Sequence, residues 1–348
     1  MKKLSMMLVI VLAIGLLPGL AQSQIKGYMF GEYYSVLKHS DANIDGRHGF
    51  WFRRIYFTYD GKLTDTIKMR LRLEMNSPGD FTSGSTLDPY VKDAYLSAKV
   101  GSHNVMFGIM STPTFGFNLE DHWGYRHLEK TPLDLYKMAS SRDFGIGLKG
   151  DLDKKKMVSY FLFMGNGASN KGETDTHKKF YGALAFKPFE GMIIEVYGDY
   201  EPKPNDRTYS TYQGFAGYGG DWGRIGVQYA RRHYNEVVPA PGTDIDRNYD
   251  IFSGFAVIKA GSSVELVARY DRAFGSGFEQ SFSGSGISYV PFADNNPFNL
   301  IIGGISWEVA KNFWLIPNVK YVFYDEPDAP AVKPDDNVYA NLSFFFKF

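Results

Sequence analysis

Five apolar residues (Ile67, Met69, Leu71, Leu73 and Met75) alternate with Lys68, Arg70, Arg72, Glu74 and Asn76. Successive side chains of an extended strand point to opposite faces, so this segment has one apolar wall and one charged wall. Arg54, Asp93 and Lys99, on the preceding and following extended segments, extend the charged wall across three neighbouring strands. A guanidinium is permanently charged and offers forked donors that match carboxylate or phosphate oxygens. Two chemistries fit the set. The cations attract anions in solution, or they pair with Glu74 and Asp93 and keep the wall hydrated and rigid.

A second group of ionisable residues lies in 111–141, the longest polar connection in the chain. Asp121, Arg126, Glu129 and Lys130, with Arg142 just beyond, would set the local field there. Phe115, Phe117, Trp123, Tyr125 and Tyr136 argue against disorder and suit anchoring of the segment against a wall. His122 and His127 stand five apart beside Asp121 and Glu129, a spacing that does not converge three or four metal ligands. No metal or cofactor is expected. The chain has no cysteine nucleophile, Gly-x-Ser-x-Gly elbow or phosphate-binding loop, so no catalytic residue is assigned.

Extended segments must position these groups, and they recur along the whole chain. Candidate strands fall at 25–37, 50–60, 65–76, 90–100, 103–110, 142–150, 156–165, 178–188, 190–201, 208–219, 221–234, 249–260, 262–274, 298–309, 312–324 and 338–348. Sixteen is even, and many segments have the length needed to cross a bilayer at a tilt. Short joints alternate with longer ones at 38–49, 77–89, 111–141, 166–177, 202–207, 235–248, 275–297 and 325–337. That rhythm predicts an all-β protein, a transmembrane antiparallel β-barrel of 16 strands, with 111–141 folded inward as a constriction loop. Within that loop, 128–136 is the place for a turn of helix. Trp51, Tyr56, Tyr59, Tyr200, Trp222, Tyr229, Trp307, Trp314, Tyr321 and Tyr324 lie towards strand ends, as interfacial aromatics do.

The ends and the composition agree. Met1-Lys2-Lys3, the apolar run Leu8–Leu20 and Ala21-Gln22-Ser23 read as an export signal over 1–23, cut after Ser23 or after Ala21, with the barrel over 24–348. Lys2 and Lys3 lie in that signal, so the remainder holds 36 basic and 38 acidic residues. Such a balance gives no footprint for nucleic acid. Without cysteine, an exported fold depends on its hydrogen-bond ladder and packing.

Several stretches resemble the phosphate-selective porin family of the O/P type. They are Gly49-Phe50-Trp51-Phe52-Arg53-Arg54-Ile55-Tyr56-Phe57, Asp60-Gly61-Lys62-Leu63, Met69–Glu74 and Val91-Lys92-Asp93-Ala94-Tyr95-Leu96. Thr112-Pro113-Thr114-Phe115-Gly116 is similar to the family's passage into an inward loop, and Leu128-Glu129-Lys130-Thr131 to the element that follows. The resemblance implies an outer-membrane barrel, usually a homotrimer, embedded in outer-membrane lipid and giving passive passage to small hydrophilic solutes or anions. Phe348 resembles the signal read by the outer-membrane assembly machinery. The chain departs from the family where Thr114 interrupts Pro-Phe and Lys130 replaces the common arginine, and it is not basic. Two functions therefore remain open: a diffusion channel, with or without anion preference, and a surface scaffold or adhesion protein whose lumen is plugged.

Overall fold

The computed structural model describes residues 23–236, 245–326 and 332–348; the export signal lies almost wholly outside them. The strands are β1 Gln24–Lys38, β2 His48–Lys62, β3 Ile67–Met75, β4 Tyr90–Val100, β5 His103–Ser111, β6 Arg142–Asp151, β7 Val158–Gly165 and β8 Lys179–Phe186. They continue as β9 Met192–Lys203, β10 Arg207–Gly220, β11 Gly223–Glu236, β12 Ile245–Lys259, β13 Val264–Phe274, β14 Phe298–Ala310, β15 Phe313–Tyr324 and β16 Asn337–Lys347. Each pairs antiparallel with its sequence neighbours, and β1 pairs with β16 to close the barrel. Closure leaves no open edge. At the seam, the Gly27 and Phe348 backbones exchange two hydrogen bonds of 3.0 Å.

All sixteen expected strands are present, within about four residues at each end. Parts of the expected loops 235–248 and 325–337 lie outside the described residues; among those described, one connection differs. The stretch expected as a long loop at 202–207 is a three-residue joint, 204–206, because β9 and β10 extend their pairing to Lys203 and Arg207. Asn205 and Asp206 take the left-handed conformation there, which these residue types tolerate.

Two faces follow from the period of two. The outer face exposes large apolar residues on strand after strand, Leu162, Val196, Val227 and Ile305 among them. A contiguous apolar belt of this kind is unfavourable in water and suits hydrocarbon. Among the described residues no helix is long and apolar enough to cross a membrane. Of the aromatic girdle candidates, Tyr200, Trp222, Tyr229 and Trp307 are exposed as expected. Trp51, Tyr56 and Tyr324 instead turn inward, where Trp51 donates to Glu32 (3.0 Å) and Tyr324 accepts from the Ala293 amide (2.8 Å).

Of the four register shifts among the described residues, two place consecutive charged residues on the inner face. Phe30 pairs with Arg54 and Gly31 with Phe52, so Arg53 is the extra residue of a β-bulge. Arg72 pairs with Asp93 and Leu73 with Val91, which makes Lys92 the extra residue of a second. A bulge lets two consecutive side chains share a face. Arg53 with Arg54, and Lys92 with Asp93, all point into the lumen.

Candidate constriction

The segment between β5 and β6 crosses the lumen. It contains a 3₁₀ turn at Pro113–Phe115 and two short helices, α1 Leu119–Trp123 and α2 Pro132–Leu135. Gly124 ends α1 in the left-handed conformation, and Pro132 opens α2 at the position where a missing N–H costs nothing. The expected helical turn within 128–136 is α2; α1 was not foreseen.

Tethers to the wall run along the loop. Asn118 donates to Glu195 on β9 (3.0 Å) and Gln213 on β10 donates to Thr114 (2.9 Å). Arg224 on β11 donates to the His122 carbonyl (2.7 Å), and Tyr125 and Tyr136 donate to Glu265 and Asp271 on β13 (each 2.6 Å). Arg53 reaches the Leu128 carbonyl at 2.7 Å. Gly217 on β10 makes this approach feasible, because a Cβ there would stand 2.6 Å from His122 Nε2. Trp123, Leu128, Leu133, Tyr136 and Met138 are buried beneath the loop. Burial pushes the His127 imidazole down to about 3, and its ring stacks on Phe345 with centroids 4.1 Å apart.

Glu129 is the deepest anchor. Its carboxylate accepts from Arg53 (2.8 Å), from Lys320 on β15 (2.8 Å) and from the Lys130 amide (2.9 Å), and the Glu129, Arg53 and Lys320 side chains are almost fully buried. Burial alone would raise this carboxyl; Arg53 and Lys320 outweigh it and hold it well below the usual range. Glu129 thus fixes the loop in place rather than facing a water path.

Opposite the loop, the inner wall of β2–β4 and the start of β6 carry a repeated arrangement. Glu74 lies between Arg54 (2.7 Å) and Lys92 (3.1 Å). Asp93 lies between Arg72 (3.4 Å) and Arg142. On the loop itself, Asp134 lies between Arg126 and Lys130, each at 3.3 Å. Three carboxylates each hold two cations, leaving every trio with one net positive charge. The trios share one field. Burial works to raise the Asp134 carboxyl, but Lys130, Arg126, Lys92 and Arg54 together hold it below its usual value. Burial pushes the Lys130 ammonium down to about 8, with Arg54 and Arg126 adding repulsion and Asp134 opposing them. Glu120, also on this side, is raised by burial despite Arg126 and Arg142.

The structure therefore gathers Arg54, Arg72, Glu74, Asp93, Arg126, Lys130 and Arg142 as the sequence suggests, and adds Lys92 and Asp134. Arg53, Lys92 and Asp134 escaped the sequence reading. The first two depend on bulges that strict alternation hides, and Asp134 carries only the Lys130 i,i+4 spacing as a signal. Besides Glu129, four expected members (Lys68, Arg70, Lys99 and Asp121) sit elsewhere. Lys68 and Lys99 are exposed towards the short-turn end, where Arg70 grips Asp60 through two hydrogen bonds (2.6 and 2.9 Å) with Lys26 at 2.7 Å. Asp121 is exposed away from the trios, and its nearest influence is Lys149.

A closed sixteen-strand barrel with an apolar outer belt and an inward loop defines a membrane channel of the outer-membrane type. The family model for phosphate-selective porin O and P matches residues 28–237, and the chain belongs to that family. It is a multi-pass β-barrel of the bacterial outer membrane, and its fold is that of a channel rather than a catalyst. No curated protein sequence matches it. Among solved structures it is similar to the anion-selective porin from Comamonas acidovorans (12% identity, TM-score 0.67, covering 94% of this chain and 99% of that one). It is also similar to the outer membrane channel DcaP of Acinetobacter baumannii (11%, TM-score 0.66, 94% and 97%). A trimer form of OmpT, an outer membrane protein of Vibrio cholerae, matches as well (14%, TM-score 0.61, 94% and 99%). At these identities the likeness is one of fold.

Proposed function

We propose that this outer-membrane channel passes small hydrophilic anions, phosphate and carboxylates among them, in preference to cations. The observation that carries the reading is the two-to-one pairing of cations with Glu74, Asp93 and Asp134. A solute moving between the loop and the wall meets three sites of net positive charge, each partly neutralised. That arrangement attracts an anion without trapping it, which conduction requires. Arg54, Arg72, Lys92, Arg126, Lys130 and Arg142 are the selecting groups. The Lys26–Asp60–Arg70 trio, with Lys68 and Lys99, continues the positive path to the periplasmic mouth.

The proposal includes export under a cleaved signal over 1–23, a barrel over 24–348, delivery by the outer-membrane assembly machinery and assembly as a homotrimer in outer-membrane lipid. Crosslinking of native membranes tests the last point. The selectivity is tested by chloride conductance in planar bilayers as phosphate is added. Block at low millimolar phosphate, relieved in an Arg72→Ala/Arg142→Ala variant, supports it; block that survives the double substitution rejects these residues as the site.

One observation favours a second reading, a surface scaffold with a sealed lumen. The loop is tethered around much of the barrel and its underside is filled by buried apolar side chains. Absence of conductance from verified folded protein that no loop substitution restores selects that reading.

A further inference from the structure

At the extracellular side of the trios, two other long loops meet over Arg53 and Arg54. Tyr289, in the connection between β13 and β14, is 1% exposed and stands on both guanidinium groups, 4.7 Å from Arg53 and 5.5 Å from Arg54. Its hydroxyl accepts a hydrogen bond from Arg54 Nη1 at 3.0 Å and donates to the Ser77 carbonyl at 2.5 Å. The phenol oxygen thus occupies the place on Arg54 that an anion's oxygen would take. Trp51 and Phe81 close the ring of aromatics around it, with Trp51 centroids 5.1 Å from Tyr289 and 4.6 Å from Phe81.

Two backbone features mark this contact as special. Tyr289 has φ +71° and Phe81, in the connection between β2's neighbour β3 and β4, has φ +65°. Large side chains seldom adopt that left-handed conformation, and it persists only where the surroundings impose it, commonly at switches and ligand clamps. Gly79, at φ +72°, accepts the Tyr289 amide at 2.7 Å; a Cβ there would come within 2.7 Å of the Tyr289 ring. The backbone just beyond is held firmly. Tyr339 and Asn337 donate to the Pro291 carbonyl, and the Ala293 amide donates to Tyr324. The loop is thus anchored beyond Tyr289, and the Tyr289 side chain is the element that an arriving anion would have to displace.

We propose that Tyr289 is a gate on the extracellular side of the cation path, holding Arg54 in place of an anion until an arriving anion takes its position. The exchange is one of like for like at Arg54, an acceptor oxygen for an acceptor oxygen, so it needs no rearrangement of the barrel. This inference rests on the anion-channel reading for its ligand, and the two are separable by experiment.

Wild type, Tyr289→Ala and Gly79→Ala are reconstituted in planar bilayers after folding is verified by heat-modifiable gel migration. Single-channel conductance and zero-current potential are recorded in KCl. The alanine at 289 removes the gate, and the alanine at 79 pushes its ring aside without touching an arginine. Both raise conductance or open probability, by about two- to fivefold for a constriction widened at one ring. An unchanged conductance and open probability in the folded Tyr289→Ala channel overturns the gate, even if wild type prefers anions. A rise in both variants over a wild type without ion preference keeps the gate and rejects the anion reading. If Tyr289→Ala does not fold, Gly79→Ala decides by the same criterion. A silent wild type with conducting variants supports the gate, and silence in all three refutes it.

Discussion

Lys130 offers the sharpest prediction, because its charge can be removed without changing the sequence. Burial beside Arg54 and Arg126 lowers the ammonium to about 8, so it is charged at pH 6.5 and neutral at pH 9.5. With six cations against Glu74, Asp93 and Asp134, deprotonation takes the three trios from three net positive charges to two. A unit charge about 6 Å from a passing ion contributes roughly 0.7 kcal/mol in a water-like path, and roughly 3 kcal/mol at an effective dielectric near 20. The same charge favours an anion and disfavours a cation, so the permeability ratio moves by twice that energy. After screening by salt, the anion-to-cation ratio should fall about three- to tenfold as pH rises through about 8. The assay is the zero-current potential in a KCl gradient between pH 6.5 and 9.5. Lys130→Arg should stay selective throughout the range, and Lys130→Met should be weakly selective at every pH. If Lys130→Arg keeps the same midpoint as wild type, Lys130 is not the titrating group and the reasoning fails.

Asp93→Asn removes the carboxylate between Arg72 and Arg142 and should raise the anion-to-cation ratio by a comparable factor of about three to ten, read from the same potential. Glu129→Ala leaves Arg53 and Lys320 buried without their shared partner. It should cost about 3–5 kcal/mol in urea unfolding and make single-channel current noisier as the loop loosens. Gly217→Val forces a side chain against His122 and should cost about 1–3 kcal/mol in the same unfolding measurement. His127, which burial holds at about 3, stays neutral above pH 5; His127→Phe should therefore leave the zero-current potential unchanged between pH 5 and 7.

The barrel was readable because water on one side and hydrocarbon on the other force a period of two. The strand Ile67–Met75, with its unbroken alternation, lies where the sequence puts it, charged side inward. The two closing strands were readable too, since Gln24–Lys38 and Asn337–Lys347 only need to meet to complete the ladder. What alternation conceals is a bulge. Nothing in the spacing of Arg53 and Arg54 announces that both point inward, and Trp51, two residues earlier, was for the same reason placed at the interface instead of in the lumen. The division of labour within the inward loop was equally hidden. Glu129 and Lys130 are adjacent, yet one is buried against Arg53 and Lys320 while the other faces the trios. Their separation depends on residues from β2 and β15 that are 76 and 191 positions away from Glu129. Side-chain partners at such range leave no trace in a local pattern, whereas the loop's length and aromatic content do mark it as ordered.

The measurement that tests the central claim most directly is the zero-current potential of the reconstituted channel across a tenfold KCl gradient at pH 6.5. Three positively charged trios predict a potential of the sign set by chloride moving faster than potassium. A potential near zero, or of the sign set by potassium, contradicts the account.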